Sequence, residues 1–376
     1  MVVGGGIGGL TAALALRRLG HEVVVVERRP TLEEAGAGIS LWPNAMRELR
    51  ALGVGPALEE SAITHGRVTI RTWDGRELSS SDMAAIERRF AAPLAVVHRR
   101  HLLDVLRAAV GEDALRLGAS CAGVVQDARG ATVLLDGGEP VEGELVVAAD
   151  GVGSRLRAAL MPEVAPRATG IVAWRAVVAA GGVDVEAVTG EAWGRGALFG
   201  AARLTEDRIY WFAAARAPEV IHASPEEEHA MLRARFADWH PPVLAIVAAT
   251  APGEIIRTPL RELRPLETWV SGRVALLGDA AHAMLPNLGQ GGCQAVEDAV
   301  ALASTLAGHA EVPDALRAYE LARKPRAEQV ALRSRRVSRL AHLRRPAAVA
   351  VRNAAMGAAP AGATLRQLDA LVGRAS

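Results

Sequence analysis

The sequence predicts an α/β fold, α+β overall, in which a parallel sheet with flanking helices carries an inserted antiparallel sheet and a C-terminal helical segment. Three observations predict it. A glycine-rich segment between two apolar runs opens the chain. Two later apolar runs each end in a loop that contains aspartate and glycine, as buried strands of a parallel sheet often do. Residues 165–260 contain short runs that alternate like antiparallel strands.

The composition excludes several protein classes. Half of the 376 residues are hydrophobic, so a large core can form, and the net charge of +1 is too small to steer nucleic acid. Two cysteines, Cys121 and Cys293, cannot build a disulfide scaffold. There is no run of 18 uncharged apolar residues and no visible secretory signal. We expect a cytoplasmic monomer or homodimer without nucleic-acid or membrane partners.

The opening segment predicts a Rossmann-like nucleotide site. Gly4, Gly6 and Gly9 fit the pattern G-x-G-x-x-G, and residues 10–19 follow as a helix. These glycines allow a tight turn, a close approach of phosphate to the backbone, and close packing of helix on strand. The helix N-terminus offers unpaired N–H groups to the phosphates. The next apolar run, HEVVVVE, ends at Glu27, where a carboxylate can accept both ribose hydroxyls.

Two later segments place further loops at the carboxyl edge of the same sheet. GELVVAADGVGSRLR is an apolar strand followed by a turn at Asp150-Gly151, after which Ser154 can cap a helix. GRVALLGDAAH is another buried strand that ends at Gly278 and Asp279, and a loop and a long helix follow it. Ligands of open α/β sheets bind at this edge. The opening motif suits NAD and FAD equally, so these later segments must decide between them.

The three motifs in this order resemble the single-component FAD-dependent aromatic hydroxylases, the family of 4-hydroxybenzoate hydroxylase. The smaller members look most similar: salicylate, 6-hydroxynicotinate and urate hydroxylases and zeaxanthin epoxidase. The segments GAGISLWPNAMREL, HRRHLLDVL, AWRAVV and PNLGQGGCQAVEDA stand where that family has similar ones. The resemblance implies FAD, NAD(P)H as a transient reductant, and O2. It also implies hydroxylation or epoxidation of a small aromatic or conjugated substrate through a flavin C4a-hydroperoxide.

The resemblance also implies which residues contact FAD. Glu27 corresponds to the ribose-binding acid, Arg99 to an arginine beside the ribityl and pyrophosphate groups, and Asp279 to the aspartate that holds a ribityl hydroxyl. The full cofactor set is Gly4, Gly6, Gly8, Gly9, Glu27, Arg28, Ile39, Ser40, Arg99, Val124, Asp150, Gly278, Asp279, Pro286, Gly289, Gln290, Gly291 and Gly292. Backbone N–H groups at the start of the helix that follows the Gly289–Gly292 loop would stabilise the negative charge of a reduced flavin ring.

The predicted domains are discontinuous. We expect residues 1–65, 95–164 and 262–340 to form the FAD-binding domain. Residues 66–94 and 165–261 would form the substrate domain, which roofs the flavin, and residues 341–376 a C-terminal helical segment. Within the substrate domain a hairpin is expected to turn at Asp74-Gly75, and a helix is expected to begin after Ser224 and to stop at Pro241-Pro242.

The candidate substrate pocket is less specific. Arg175, Tyr210, Trp211, Met284 and Pro286 are the pocket candidates, and Tyr210, Arg175 and His282 are the candidates for catalysis. Each has a structural alternative: His282 can pack, Arg175 can anchor the sheet, and strand alternation leaves open whether Tyr210 faces the flavin. Urate-oxidising relatives carry a basic residue in the strand that reads GALFGAA here, where this chain has Leu198. The sequence therefore favours a less polar substrate than urate.

Other activities on the same cofactor site stay open. An FAD-linked reductase or dehydrogenase would share these motifs, and so would a non-catalytic flavin redox sensor. Flavin halogenases carry a W-x-W-x-I-P motif, which this sequence lacks.

Overall fold

The computed structural model describes residues 1–32, 37–63, 65–219, 223–359, 368–369 and 371–373. The first residue of the GAGISL segment therefore lies outside the described residues. The strands are β1 Val2–Val3, β2 Val25–Glu27, β3 Gly38–Leu41, β4 Arg67–Thr72, β5 Glu77–Asp82, β6 Ala95–His98, β7 Leu115–Leu117, β8 Cys121–Gln126, β9 Ala131–Leu135, β10 Gly138–Gly143, β11 Val146–Ala148, β12 Arg167–Ala179, β13 Gly190–Trp193, β14 Ala197–Arg203, β15 Arg208–Arg216, β16 Ile256–Glu262, β17 Val270–Ser271 and β18 Val274–Leu276. The helices are α1 Ile7–Arg18, α2 Pro43–Ala51, α3 Gly55–Ser61, α4 Met83–Phe90, α5 Arg99–Val110, α6 Arg155–Leu160, α7 Pro225–Arg235, α8 Pro241–Ala249, α9 Asp279–His282, α10 Gly291–Gly308, α11 Val312–Ala341 and α12 Pro346–Gly357.

A largely parallel sheet forms the first layer and confirms the predicted fold class. Its strand order is β17-β18-β11-β1-β2-β7, and β1 pairs in parallel with both β2 and β11. The central strands are buried on both faces, which explains why they read as unbroken valine and alanine runs. Because β1, β11 and β18 are neighbours and point the same way, the three loops that follow them meet at one edge of the sheet.

A second, seven-stranded sheet is built from strands that alternate along the chain with those of the first sheet. Its order is β16-β12-β15-β14-β13-β4-β5, and its pairs are antiparallel except for β13 with β4. The hairpin of β4 and β5 turns at Asp74-Gly75 as expected. Strands from residues 67–82 thus share a sheet with strands from residues 167–262, a grouping that supports the proposed substrate domain.

Helices α7 and α8 cover one face of this second sheet. Phe199 stacks on Trp211 with ring centroids 5.5 Å apart, and Phe236 meets Phe199 edge-on. Ser224 caps α7 as expected, and Glu227 completes a capping box. The expected end of α7 was wrong. The helix stops at Arg235, and Pro241-Pro242 instead begin α8, because proline is favoured in the first turn of a helix.

The C-terminal helices close part of the other face. Val337 and Ala341 of α11 and Met356 of α12 pack against Trp193 and Leu198 of the sheet. None of the described helices combines the length and apolar character that a bilayer crossing requires.

The cap of α7 gives a local stability prediction. Replacing Ser224 by Ala removes the acceptor of the Glu227 amide and should cost about 1 kcal/mol, so hydrogen exchange at the start of α7 should accelerate about fivefold. Hydrogen-exchange mass spectrometry measures this. Ser224→Asp, which restores an acceptor, should exchange like the wild type. Equal protection in the Ala variant would show that the cap does not hold this turn.

Candidate active site

The glycine-rich loop after β1 is packed at two positions and open at a third. Gly4 has φ +111°, and a Cβ there would lie 2.3 Å from the Ala149 carbonyl oxygen. A Cβ on Gly9 would lie 1.9 Å from the carbonyl oxygen of Gly4, so helix and strand meet backbone to backbone. A Cβ on Gly6 would meet no atom within 4 Å, and no side chain caps α1. The N-terminus of α1 therefore faces open space, as an anion site requires.

Glu27 binds the loop from the end of β2. Its Oε2 accepts the Gly5 N–H at 2.7 Å, and its Oε1 accepts the Arg29 N–H at 3.0 Å. The side chain is buried, whereas the neighbouring Arg28 is exposed. A Cβ on Gly8 would lie 2.7 Å from Leu277, so this glycine is needed for packing of α1 against the end of β18. The predicted residues Gly8 and Glu27 thus shape the loop itself.

Asp150, at the end of β11, keeps one oxygen without a partner. Its Oδ2 accepts the N–H groups of Arg155 and Leu156 at 2.8 and 3.3 Å, which fixes the start of α6. Its Oδ1 is buried and accepts no hydrogen bond from the described residues. A buried acceptor of this kind costs free energy unless a ligand or water supplies the donor. The geometry fits a cofactor hydroxyl at this edge.

A third opening lies between β3 and the N-terminus of α10. Gly278, with φ +62°, turns the chain so that Asp279 is exposed, and the Asp279 Oδ1 would lie 4.0 Å from a Cβ on Gly291. A Cβ on Gly292 would meet Ile39 at 3.1 Å, and one on Gly289 would meet the Trp42 indole nitrogen at 2.9 Å. These glycines let the loop pass close to neighbouring side chains.

The Trp42 indole nitrogen supports a ligand at this opening. It is buried and has no acceptor among the described residues, as Asp150 Oδ1 has no donor. Gln290 is buried and accepts from the Asn44 side-chain amide at 3.0 Å, so it orients the loop rather than facing the opening. Pro286 is exposed at the loop's start, and the Ser40 carbonyl accepts the Cys293 thiol at 3.7 Å.

Arg99 and Val124 occupy other sides of the edge. Arg99 begins α5 and is half-buried, and its N–H donates to the Ala37 carbonyl at 2.8 Å. Val124 is half-buried on β8 and packs against the main core. Whether each contacts a cofactor stays a prediction.

Tyr210 faces β3 from the second sheet, and β3 pairs with β6 in a separate two-stranded sheet. A Cβ on Gly38 would lie 2.6 Å from its ring, so the tyrosine packs directly on β3. Burial raises the pKa of Tyr210, while the Arg175 and Arg99 charges oppose that rise. Arg175 donates to Thr258 Oγ1 at 2.9 Å, and its Nε is buried without an acceptor in the described residues. The fold thus brings together the predicted residues Tyr210, Arg175 and Arg99.

Trp211 does not belong to this group, and its assignment to the pocket is corrected. Successive strand residues point to opposite faces, so Trp211 lies on the helix-covered face when Tyr210 faces β3. It is fully buried in the core with α7 and α8, and its Nε1 donates to Thr250 Oγ1 at 2.9 Å. Its indole ring packs in the hydrophobic core between the sheet and the helices α7 and α8, and so stabilises the sheet.

His282 belongs to a buried charge cluster and not to the opening. Its Nε2 lies 2.6 Å from Asp298 Oδ2. The same oxygen accepts the Gly278 N–H at 3.1 Å, and Oδ1 accepts Arg323 Nε at 2.8 Å. Burial would raise the pKa of Asp298, but the charges of His282 and Arg323 hold it below its ordinary value. The structural alternative for His282 therefore has direct support.

Met284 meets the apolar part of the opening. Like Trp42, Val68 and Leu288, it is partly buried and packs against a small hydrophobic cluster that includes Ile86 and Phe90 of α4. That Met284 forms a wall of the substrate pocket stays a prediction.

Two polar residues on the second sheet were missed by the sequence analysis. Glu191 and Trp193 lie on β13, and Trp193 Nε1 donates to Glu191 Oε2 at 2.6 Å. Glu191 is paired with Gly200, which is paired with Phe212, and the Phe212 ring lies across Gly200. Burial raises the pKa of Glu191, and the indole bond opposes the rise. The alternation in GEAWG was a signal, but it did not show which face of the sheet meets β3.

Known proteins with similar sequences and structures include enzymes that bind FAD. Residues 1–334 match the family model described as FAD binding domain. The aurachin C monooxygenase/isomerase of Stigmatella aurantiaca is 41% identical over 340 residues, which cover 90% of this chain and 88% of that protein. The FAD-dependent urate hydroxylase of Klebsiella pneumoniae subsp. pneumoniae is 32% identical, with 91% and 90% covered. The crystal structure of Klebsiella pneumoniae HpxO complexed with FAD and uric acid superposes with a TM-score of 0.89 at 28% identity, with 99% and 95% covered.

Asp298 should be a stability determinant with a defined pH dependence. Its lowered pKa means that the carboxylate stabilises the fold above the ordinary aspartate value of about 3.9, and that this contribution is lost as pH falls through the lower folded value. Asp298→Asn should therefore reduce the unfolding free energy by about 3 kcal/mol at pH 7, since it removes the carboxylate partner of His282 and one of the two carboxylates, Asp298 and Glu297, that pair with buried Arg323. Urea unfolding measures the difference in unfolding free energy between the wild type and Asp298→Asn. This difference should be present at pH 7 and at about pH 4, and it should shrink only below about pH 4.

Asp314→Asn is the matched control, because Asp314 is an exposed acid that pairs with Arg317 on the surface of α11. Its change should stay within about 0.5 kcal/mol. A similar small change in both variants would contradict a stabilising role for the buried cluster.

The glycine loop gives a pair of variants that separate cofactor binding from folding. Gly6→Ala fits the fold, because its Cβ meets no atom, yet it should weaken FAD binding about tenfold, since one misplaced methyl costs about 1–3 kcal/mol. Gly9→Ala collides with the Gly4 carbonyl and should lower the unfolding free energy itself. Flavin absorbance during FAD titration and thermal unfolding without FAD measure the two effects. If Gly6→Ala binds FAD as tightly as the wild type, the FAD phosphates do not bind at this loop.

Proposed function

This chain belongs to the FAD binding domain family and is an FAD-dependent monooxygenase, and we propose that its substrate is a small, largely apolar aromatic or conjugated molecule. The observation that supports the proposal is that the helices α1 and α10 begin without side-chain caps and that β3, which meets the start of α10 at Ile39 and Gly292, also packs against Tyr210. Named relatives include the aurachin C monooxygenase/isomerase and urate hydroxylases, so oxygenation is favoured over the reductase and redox-sensor alternatives.

FAD, when bound, supplies electron transfer from NAD(P)H and the transfer of one oxygen atom from O2. The protein's part is to hold and orient. In our proposal the open N-terminus of α1 at Gly6 binds the diphosphate, Glu27 binds the ribose, and Asp279 binds a ribityl hydroxyl. The unpartnered Asp150 Oδ1 and Trp42 Nε1 offer an acceptor and a donor at the same edge.

The N-terminus of α10 supplies the electrostatic part of the mechanism. This helix of 18 residues begins at Gly291 with no acidic residue in its first turn and no side-chain cap. Its positive end would stabilise negative charge on a reduced ring placed against Gly289–Gly292. The buried Asp298 cluster holds this end of α10 against the Gly278 turn.

The second sheet supplies a pocket roof of low polarity. The face that carries Tyr210 also carries Leu198, Phe212 and Trp193 in neighbouring rows. Strand β14 extends past the GALFGAA segment to Arg203, a basic residue, but Arg203 is paired with Ile209, which lies in the helix-covered core. The strand therefore presents no guanidinium to the roof at Leu198, which supports an apolar substrate over urate.

Assembly and location stay predictions. We propose that the chain acts as a monomer or a homodimer. A reducing compartment such as the cytoplasm agrees with the two free thiols, Cys121 and Cys293.

Substrate choice can be tested by NAD(P)H oxidation. The FAD-loaded protein should oxidise NAD(P)H slowly alone and faster with an apolar phenol such as 2-naphthol, because the roof offers aromatic and aliphatic contact. Urate should give no acceleration. Product analysis by mass spectrometry with ¹⁸O2 should show one added labelled oxygen atom. Acceleration by urate alone would overturn the substrate proposal, and a protein that takes up no FAD would overturn the function.

A further inference from the structure

Glu191 is a carboxylic acid on the roof that the fold does not use in an ion pair among the described residues. It stands in β13, in one cross-strand row with Gly200 of β14, Phe212 of β15 and Arg175 of β12. Directly paired residues lie on the same face of a sheet, so Glu191 shares the face of Arg175 and, two residues along β15 from Phe212, of Tyr210. This is the face that meets β3.

The surroundings of Glu191 are apolar. Trp193 and Leu198 lie in the adjacent row, Phe212 lies beyond Gly200, and Ile70 is its partner on β4. Within the described part of the chain Glu191 makes no salt bridge, and its one hydrogen bond is the indole N–H of Trp193 on Oε2. Arg352 stands over the Trp193 ring at 5.4 Å and bonds to backbone carbonyls and to Asn353.

A half-buried carboxyl in such surroundings costs free energy that a leucine would not. The second oxygen, Oε1, accepts no hydrogen bond from the described residues, and it is not among the fully enclosed polar atoms. One oxygen is thus fixed by Trp193, and the other is available at the roof. A carboxyl group kept at such a cost is a candidate for a functional role.

We propose that Glu191 Oε1 accepts a hydrogen bond from an O–H or N–H group on the substrate ring, so that the enzyme selects phenols or N–H heterocycles among apolar aromatic molecules. This inference rests on the proposed function and narrows its substrate class. Trp193 is the positioning residue that holds the carboxyl group in place. Burial raises the pKa of Glu191 because it disfavours the charged form, and the indole N–H of Trp193 opposes this rise.

The opposite side of the roof gives the substrate a direction. Arg175 and Tyr210 are donors, and Arg175 lies three strands from Glu191, roughly 14 Å at about 4.8 Å per strand. An acceptor at one end and donors at the other favour an aromatic molecule whose hydroxyl or ring N–H points to β13 and away from Arg175.

Matched ligand pairs test the proposal. Binding of 2-naphthol and 2-methoxynaphthalene, and of indole and N-methylindole, is measured from the change in flavin absorbance of the FAD-loaded protein. The wild type should bind at least one hydroxyl or N–H member about tenfold or more tightly than its methylated partner, which corresponds to one hydrogen bond to a charged acceptor. Glu191→Leu should bring that ratio close to one, and Glu191→Gln should lower it less.

Controls separate this role from a structural one. Trp193→Phe removes the indole N–H that holds the carboxyl group but leaves both carboxyl oxygens, so the ratio should fall in part and stay above one. Glu206→Gln changes an exposed acid in the turn after β14 and should leave the ratio unchanged. Equal binding within every pair in the wild type, or an unchanged ratio in Glu191→Leu, would overturn the proposal. If the wild type binds FAD normally and oxygenates a methylated ligand as efficiently as its hydroxyl or N–H partner, the proposal for Glu191 is wrong and the proposed function stands. If the wild type binds no FAD, the proposed function itself is wrong.

Discussion

The carboxylate of Asp298 joins the parts of the active site that the chain supplies separately. It accepts from the Gly278 backbone at the end of β18, from His282 in α9 and from Arg323 in α11, while it stands in α10 itself. A fully buried carboxylate with three donors favours one arrangement, because each lost bond removes part of what compensates its charge. The turn that exposes Asp279 and the start of α10 are thereby fixed relative to each other.

Local chemistry explains why much of this site can be predicted from the sequence. The glycines after β1, the cap at Ser224 and the loops after buried strands each depend on residues within about five positions of one another, and each was found where expected. The limits are also local. Proline can follow the end of one helix or stand in the first turn of the next. Pro241-Pro242 therefore allowed both interpretations, and in the structure they begin α8.

The assignment of faces could not be predicted, because strand alternation separates Tyr210 from Trp211 without saying which side the helices cover. That depends on where α7 and α8 pack, which is a tertiary property. Glu191 was missed for the same reason: it becomes a roof residue only through pairing of β13 with β14 and β4. The partner of His282 is Asp298, which lies sixteen residues away on another helix, so the pair could not be predicted from local sequence.

The roof sheet is assembled from two stretches of chain, and β13 is hydrogen-bonded on one side to β14 and on the other to β4. A chimera that receives only residues 165–261 would therefore pair its new β13 with the β4 strand of the recipient. The β4–β5 hairpin of the recipient would have to match β13. Gly190 sharpens this requirement, because a Cβ there would lie 2.0 Å from the Thr69 carbonyl oxygen. Chimeras that exchange both stretches together should be the ones that inherit the donor's substrate range.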